Sequence, residues 1–187
     1  MTRLILASSS PRRKEILDKA GIPYKAISPD ADEAFIGGYS PEDFVQELAK
    51  KKALSVIQSA TEDDIIIGVD TIVLIEGNML GKPCKKEDAK KMMHLLSGKT
   101  HYVISGVCIL KTSGFEKVFY NKTKVEFLDL TDEEIEEYIQ TDEPYDKAGG
   151  YAIQGLASKF IKGINGCYYN VMGLPLSAIY SVIKDMI

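Results

Sequence analysis

Ile65-Ile66-Ile67-Gly68-Val69-Asp70-Thr71-Ile72-Val73-Leu74-Ile75 is a run dominated by β-branched side chains and apolar on both faces. Branched side chains suit a pleated strand, and the lack of alternation toward water predicts a central strand covered on two sides. One residue breaks the run. Asp70 puts a carboxylate among neighbours destined for burial, and a lone buried carboxylate costs several kcal/mol unless it meets a cation, hydrogen-bond donors or the mouth of a cleft. That makes it a candidate metal ligand or general base. The alternative is a strand that ends at Val69, with Asp70 capping a turn.

The flanks alternate between strand-like and helix-like patterns, which predicts an α/β fold with a mixed sheet. On the N-terminal side, a strand over 3–7 feeds a helix over 11–20 that stops at Gly21. A short strand over 24–28 then leads into the polar loop Pro29-Asp30-Ala31-Asp32-Glu33. Ser40-Pro41-Glu42-Asp43 combines an N-cap serine, a proline at the first helical position and acids in the first turn, and the helix it starts runs to about residue 58. On the C-terminal side, Gly77-Asn78 reads as a turn and 85–96 as a helix. Residues 101–110 and 115–128 read as long strands joined at Thr112-Ser113-Gly114. Thr131-Asp132-Glu133-Glu134 is a capping box for a helix ending near Gln140. The tail holds a glycine-rich stretch over 149–155, two short strands and a final helix from about Pro175.

With 187 residues, 45% hydrophobic and 27% charged, the chain suits one globular domain or two closely packed lobes rather than disorder. A net charge of −4 argues against nucleic acid or an acidic membrane as partner, so any anion site must be local. Cys84, Cys108 and Cys167 are odd in number and widely spaced, as expected of reduced thiols. The apolar run over 4–7 is too short for a signal peptide, and no stretch approaches the ~20 apolar residues that span a bilayer. These features point to a cytoplasmic protein.

Ser8-Ser9-Ser10-Pro11-Arg12-Arg13 lies where a strand feeds a helix, with Ser10 as N-cap and Pro11 at the first helical position. Two arginines in a first turn oppose the positive end of the helix dipole, at about 0.3–1 kcal/mol each without an anion. A bound phosphate reverses that sign, because free N–H groups, hydroxyls and guanidinium forks converge on it. A solvated basic turn paired with surface acids is the competing reading. It is not a Walker loop, since the G-x-x-x-x-G-K pattern is absent.

Asp32 and Glu33 could add oxygen ligands for Mg²⁺ or Mn²⁺, or be solvated loop charges. Lys52, late in a basic helical run, reads either as an anion contact or as a surface lysine matched to the dipole. Lys82 in Gly81-Lys82-Pro83 is a cation on a rigid turn. Gln154 could read a base edge through its amide, or be an ordinary buried glutamine. His94 and His101 lack metal spacing. No G-x-S-x-G or H-E-x-x-H motif supports a serine hydrolase or a zinc protease.

Six ordered blocks carry a wider likeness: Ala7-Ser8-Ser9-Ser10-Pro11-Arg12-Arg13, Gly68-Val69-Asp70-Thr71-Ile72-Val73, Gly81-Lys82-Pro83, Leu96-Ser97-Gly98-Lys99-Thr100-His101, Asp142-Glu143-Pro144-Tyr145-Asp146-Lys147-Ala148-Gly149 and Tyr151-Ala152-Ile153-Gln154-Gly155. Across essentially its whole length the chain resembles the Maf proteins, nucleoside triphosphate pyrophosphatases also called septum-formation proteins. The resemblance implies a single Maf-like domain over 1–187: an elongated mixed β-sheet flanked by helices in two lobes with a cleft between them, shared with the inosine triphosphate pyrophosphatases, and commonly a homodimer. It implies hydrolysis of a nucleoside triphosphate to the monophosphate and pyrophosphate with a divalent metal cation. Asp70 would be the proton acceptor, Glu33 with Asp70 would hold metal, and Ser8, Arg12, Arg13, Lys52 and Lys82 would hold the triphosphate. Arg12, Thr71 and Gln154 match specificity positions of the branch preferring dTTP and UTP, with modified pyrimidine triphosphates as further substrates. A nucleotide-sensing regulator of septum formation, acting through a protein partner, is the alternative.

Overall fold

The computed structural model describes residues 3–31, 38–61 and 63–187. Strand β3, Ile65–Ile75, spans the predicted run from end to end, and only Thr71 and Leu74 are not fully buried. Asp70 therefore sits inside the strand and does not cap a turn after Val69. Around β3 lies a seven-stranded sheet of order β2-β1-β3-β5-β6-β7, with β4 pairing β3 as a side branch. Its strands are β1 Leu4–Ala7, β2 Lys25–Ile27, β4 Asn78–Leu80, β5 Thr100–Leu110, β6 Glu116–Phe127 and β7 Ile161–Asn165.

The sheet is mixed. β1 runs parallel to β2 and to β3, with Leu6 beside Ala26 and Ile67. Parallel neighbours need a crossover, which α1 (Pro11–Lys19) and α2 (Pro41–Ser55) supply. β4 and β7 pair antiparallel with β3 and β6. The chain leaves β3 through Glu76 and Gly77, at φ 48° and 79°, and folds straight back as β4, so the turn read at Gly77-Asn78 extends into a hairpin. Helix α3 is Lys86–Leu96, and α4, Asp132–Ile139, begins with the predicted capping box between Thr131 and Glu134.

One expectation for the tail fails. In place of a second short strand, the chain forms the helical turn α5, Tyr168–Val171, before α6, Leu176–Ile183. Its fully buried Asn170 donates to the Val103 carbonyl and to Thr123 Oγ1, each at 3.0 Å, and Thr123 Oγ1 also accepts from the Cys167 amide. These buried side-chain bonds favour a turn over ladder pairing.

The chain divides into two compact units. The first comprises Met1–Thr71, Ser105–Asn121 and Gly173–Ile187, and the second Ile72–Ile104 and Lys122–Met172. In the first unit Ile5, Ala7, Ala49, Ala53, Ile66 and Cys108 form an apolar cluster. In the second, Val73, Met93, Leu96, Phe127, Ile135 and Phe160 do so. Among the described residues no helix is long and apolar enough to cross a membrane.

Two glycines set how closely α2 lies on the sheet. A Cβ on Gly68 would stand 2.1 Å from the Ala49 carbonyl oxygen and 2.9 Å from the Ala53 Cβ, and one on Gly106 would stand 2.1 Å from the Val45 carbonyl oxygen. The backbone of α2 thus rests where side chains of β3 and β5 would otherwise project.

Candidate active site

Gly68 and Asp70 are two residues apart on β3 and share a face. Lys52 lies on α2 between Ala49 and Ala53, the positions that touch Gly68. The close helix approach delivers its Nζ to Asp70 Oδ1 at 2.6 Å, with Lys52 only 6% and Asp70 8% exposed. Lys52 is thus a buried partner of the strand carboxylate and not a surface lysine matched to the dipole. The buried charge that the sequence leaves unexplained is neutralised at once, and removing either partner would break a buried ion pair.

At the end of β1 the arginine-rich turn is tied down by a second network. Arg13 donates from Nε to the Gly173 carbonyl at 2.8 Å, from Nη1 to Ser8 Oγ at 3.1 Å and from Nη2 to Thr71 Oγ1 at 3.3 Å. Thr71 Oγ1 shares a 2.9 Å hydrogen bond with the fully buried Ser105 Oγ. Ser10 and Pro11 occupy the predicted N-cap and first helical positions, yet the Ser10 hydroxyl caps nothing. The buried Ser8 hydroxyl accepts the amide of Ser10 itself at 3.2 Å. Arg12 is half-buried. The guanidinium of Arg13 is therefore oriented by the protein itself, its planar fork locking α1, the end of β1, β3 and the Gly173 loop together. Solvated arginines on a surface turn would not be held so.

Ser8, Arg12, Arg13, Lys52, Asp70 and Thr71 all belong to the first unit. Lys82 and Gln154 belong to the second, where both are exposed, so Gln154 is not an ordinary buried glutamine. Lys82 borders an open depression of about 230 Å³ together with Leu80, Asp88, Lys91, Met92 and Leu95. Its turn is joined to the glycine-rich stretch by the Gly149 amide, which donates to the Gly81 carbonyl at 2.9 Å. Asp32 and Glu33 lie outside the described residues. Among the described residues no group of three or more His, Cys, Asp or Glu is gathered as a metal site.

The histidines and cysteines stay apart from this chemistry. His101 is fully buried, shares a 2.7 Å hydrogen bond with the Tyr151 hydroxyl and stacks edge-on with Phe127, and burial pushes its pKa down to about 4. All three cysteines are free thiols, and burial pushes that of Cys108 up to about 12. Sequence reasoning missed Ser105 and Gly173, which act through partners 34 and 160 residues away in the chain. The polar interruption at Ser105 in an apolar run, the same signal that marks Asp70, could have flagged the first.

The model of a family described as Maf-like protein matches residues 3–186. A dTTP/UTP pyrophosphatase of Bacillus anthracis is 48% identical over 186 residues, covering 99% of this chain and 96% of its own length. One from Bacillus cereus is 46% identical over 188 residues with the same coverage of each. Among solved structures, the Ham1 protein of Staphylococcus aureus aligns with 98% of this chain and 98% of its own at a TM-score of 0.51 and 12% identity, a likeness of fold alone. By the match of sequence along nearly its full length, the chain belongs to the Maf-like protein family.

Proposed function

We propose that this chain is a nucleoside triphosphate pyrophosphatase that hydrolyses dTTP and UTP to the monophosphate and pyrophosphate. The observation that carries the reading is the ion pair of Asp70 with Lys52, buried in the central strand beside the oriented Ser8–Arg13 turn. The identity and coverage of the relatives named dTTP/UTP pyrophosphatase support this reaction over a purely nucleotide-sensing regulator of septum formation.

In this reading Ser8, Arg12, Arg13 and Lys52 grip the triphosphate, and Lys82 makes a further phosphate contact. Fixed cations stabilise the charge that builds on phosphoryl oxygens as the phosphoanhydride opens. Arg13 enters that task without reorganising, because three of its N–H groups are already placed. Asp70, the anionic partner of Lys52, accepts the proton of the attacking water. Lys52 engages Oδ1 at 2.6 Å and so fixes the orientation of the carboxylate. Arg12, Thr71 and Gln154 select the pyrimidine nucleotide, modified pyrimidine triphosphates included.

A hard oxygen donor such as Asp70 fits Mg²⁺ or Mn²⁺, ions that keep several waters and take few carboxylates. Asp70 together with Glu33 would hold the metal, whose chemistry is to neutralise phosphate charge and lower the pKa of bound water. The enzyme is read as a cytoplasmic homodimer. The test is pyrophosphate release with Mg²⁺ or Mn²⁺ across a panel of common and modified triphosphates. The highest kcat/KM is expected for dTTP and UTP, and orthophosphate as sole product, or no turnover, refutes the reading.

A further inference from the structure

The stretch that carries Gln154 is anchored from below by groups with no role in the reaction described above. Tyr138 donates its hydroxyl to Glu143 Oε1 at 2.9 Å and lies 3.2 Å from the Gly150 carbonyl, while His101 holds the Tyr151 hydroxyl. Past Gln154, the half-buried Glu143 carboxylate accepts the Leu156 amide on Oε2 at 2.7 Å and the Ala157 amide on Oε1 at 3.1 Å. These amides open the 3₁₀ turn Leu156–Phe160, so one carboxylate satisfies two donors that have no partner within the turn. Gly155 completes the fit, because a Cβ there would stand 2.0 Å from Glu143 Oε2. Gln154 itself is exposed, directly before this clamped glycine.

We propose that Glu143 is a positioning residue for nucleotide selection: by clamping the amides of Leu156 and Ala157 through the gap left by Gly155, it fixes where Gln154 presents its amide. The inference rests on the reading of Gln154 as a base contact. Thymine and uracil offer a carbonyl at C4 and an N–H at N3, whereas cytosine offers an amino group and a bare nitrogen. An amide on a loosely held turn can shift to meet either pattern. Discrimination requires a site held to within about 0.5 Å, which supporting hydrogen bonds provide.

The test compares kcat/KM for dTTP and dCTP in Glu143→Gln, Gln154→Ala and the double variant, with melting temperatures recorded alongside. Glu143→Gln keeps the shape but replaces one acceptor oxygen by an NH₂ group that faces N–H donors. It is expected to lower the dTTP-to-dCTP ratio by about tenfold, through a raised KM for dTTP with kcat held within about twofold. The double variant is expected to be no less selective than Gln154→Ala, because both changes act through one amide. A general weakening of the fold would lower turnover of both nucleotides together and leave their ratio intact. If Gln154→Ala lowers the ratio while Glu143→Gln leaves it within about twofold of the wild type, the role of Glu143 is overturned. If Gln154→Ala leaves the ratio unchanged, the assignment of Gln154 fails first. Should Glu143→Gln fail to fold, Gly155→Ala displaces the same carboxylate and is judged by the same outcomes.

Discussion

Replacing Gly68 by alanine tests how the Lys52–Asp70 pair is built. The added Cβ would lie 2.1 Å from the Ala49 carbonyl oxygen, about 1.3 Å short of the 3.4 Å at which ordinary contact begins. The atom it meets is backbone, so α2 must move off β3 as a body and carry Lys52 with it. Overpacking of this kind costs about 1–3 kcal/mol. For a chain of 187 residues, that lowers the melting temperature by about 3–10 °C. The Nζ of Lys52, now 2.6 Å from Asp70, is drawn away, and a misplacement near 1 Å in catalytic geometry costs about a hundredfold in rate. Thermal unfolding and pyrophosphate release on the same preparation measure both effects. Gly163→Ala is the control, because its Cβ would meet nothing within 4 Å, and it is expected to change stability by less than about 0.5 kcal/mol. A Gly68→Ala protein that melts within about 1 °C of the wild type and turns over at the wild-type rate refutes the claim that this close approach builds the pair.

Asp70→Asn is expected to lower kcat by about 10²–10⁴. It also removes the Asp70 countercharge from the buried Lys52 and so costs about 3 kcal/mol in urea unfolding; full activity in this variant would remove Asp70 from the chemistry. The Arg3 guanidinium, forked onto Asp64 at 3.0 and 2.7 Å, holds that buried carboxyl well below the usual carboxylate range. The folded pKa being depressed, this stabilisation is complete above the unfolded value of about 3.9 and is lost as pH falls below it. Arg3→Met should therefore flatten the acid limb of stability measured by urea midpoints from neutral pH to about pH 3, while lowering stability at neutral pH. Chelation by EDTA is expected to abolish pyrophosphate release and Mg²⁺ or Mn²⁺ to restore it. The melting temperature of the nucleotide-free protein should shift by less than about 2 °C, since Lys52 already neutralises Asp70.

β3 was legible to the residue because eight of its eleven positions repeat one message, branched and apolar side chains on both faces. The helix starts at Ser40 and Thr131 were legible for a comparable reason, since a capping signal lies within four residues of chain. The buried acid Asp70 announced itself, but its partner did not. Lys52 sits in a basic run that looks solvated, and only the missing side chain at Gly68 brings its helix near enough to matter. Ser10 holds the N-cap place that its type announces, but its hydroxyl makes no cap bond, and its amide donates to the Ser8 hydroxyl instead. In the tail, the pull of Asn170 on Val103 and Thr123 works across 67 and 47 residues, beyond the reach of any local periodicity.

The bond from Arg13 Nε to the Gly173 carbonyl joins groups 160 residues apart, and Leu174 just beyond it is fully buried in the same unit. A ribosome makes the arginine first and the carbonyl 160 residues later. While the chain is being synthesised, the second unit, which ends at Met172, has all its residues before the first unit can close on Gly173–Ile187. The Ser8–Arg13 turn then gains the Gly173 carbonyl only after every residue of the second unit has been made. A chain that stopped short of Gly173 would carry Ser8, Arg12, Arg13, Lys52 and Asp70 in full and still lack the carbonyl that fixes the Arg13 guanidinium.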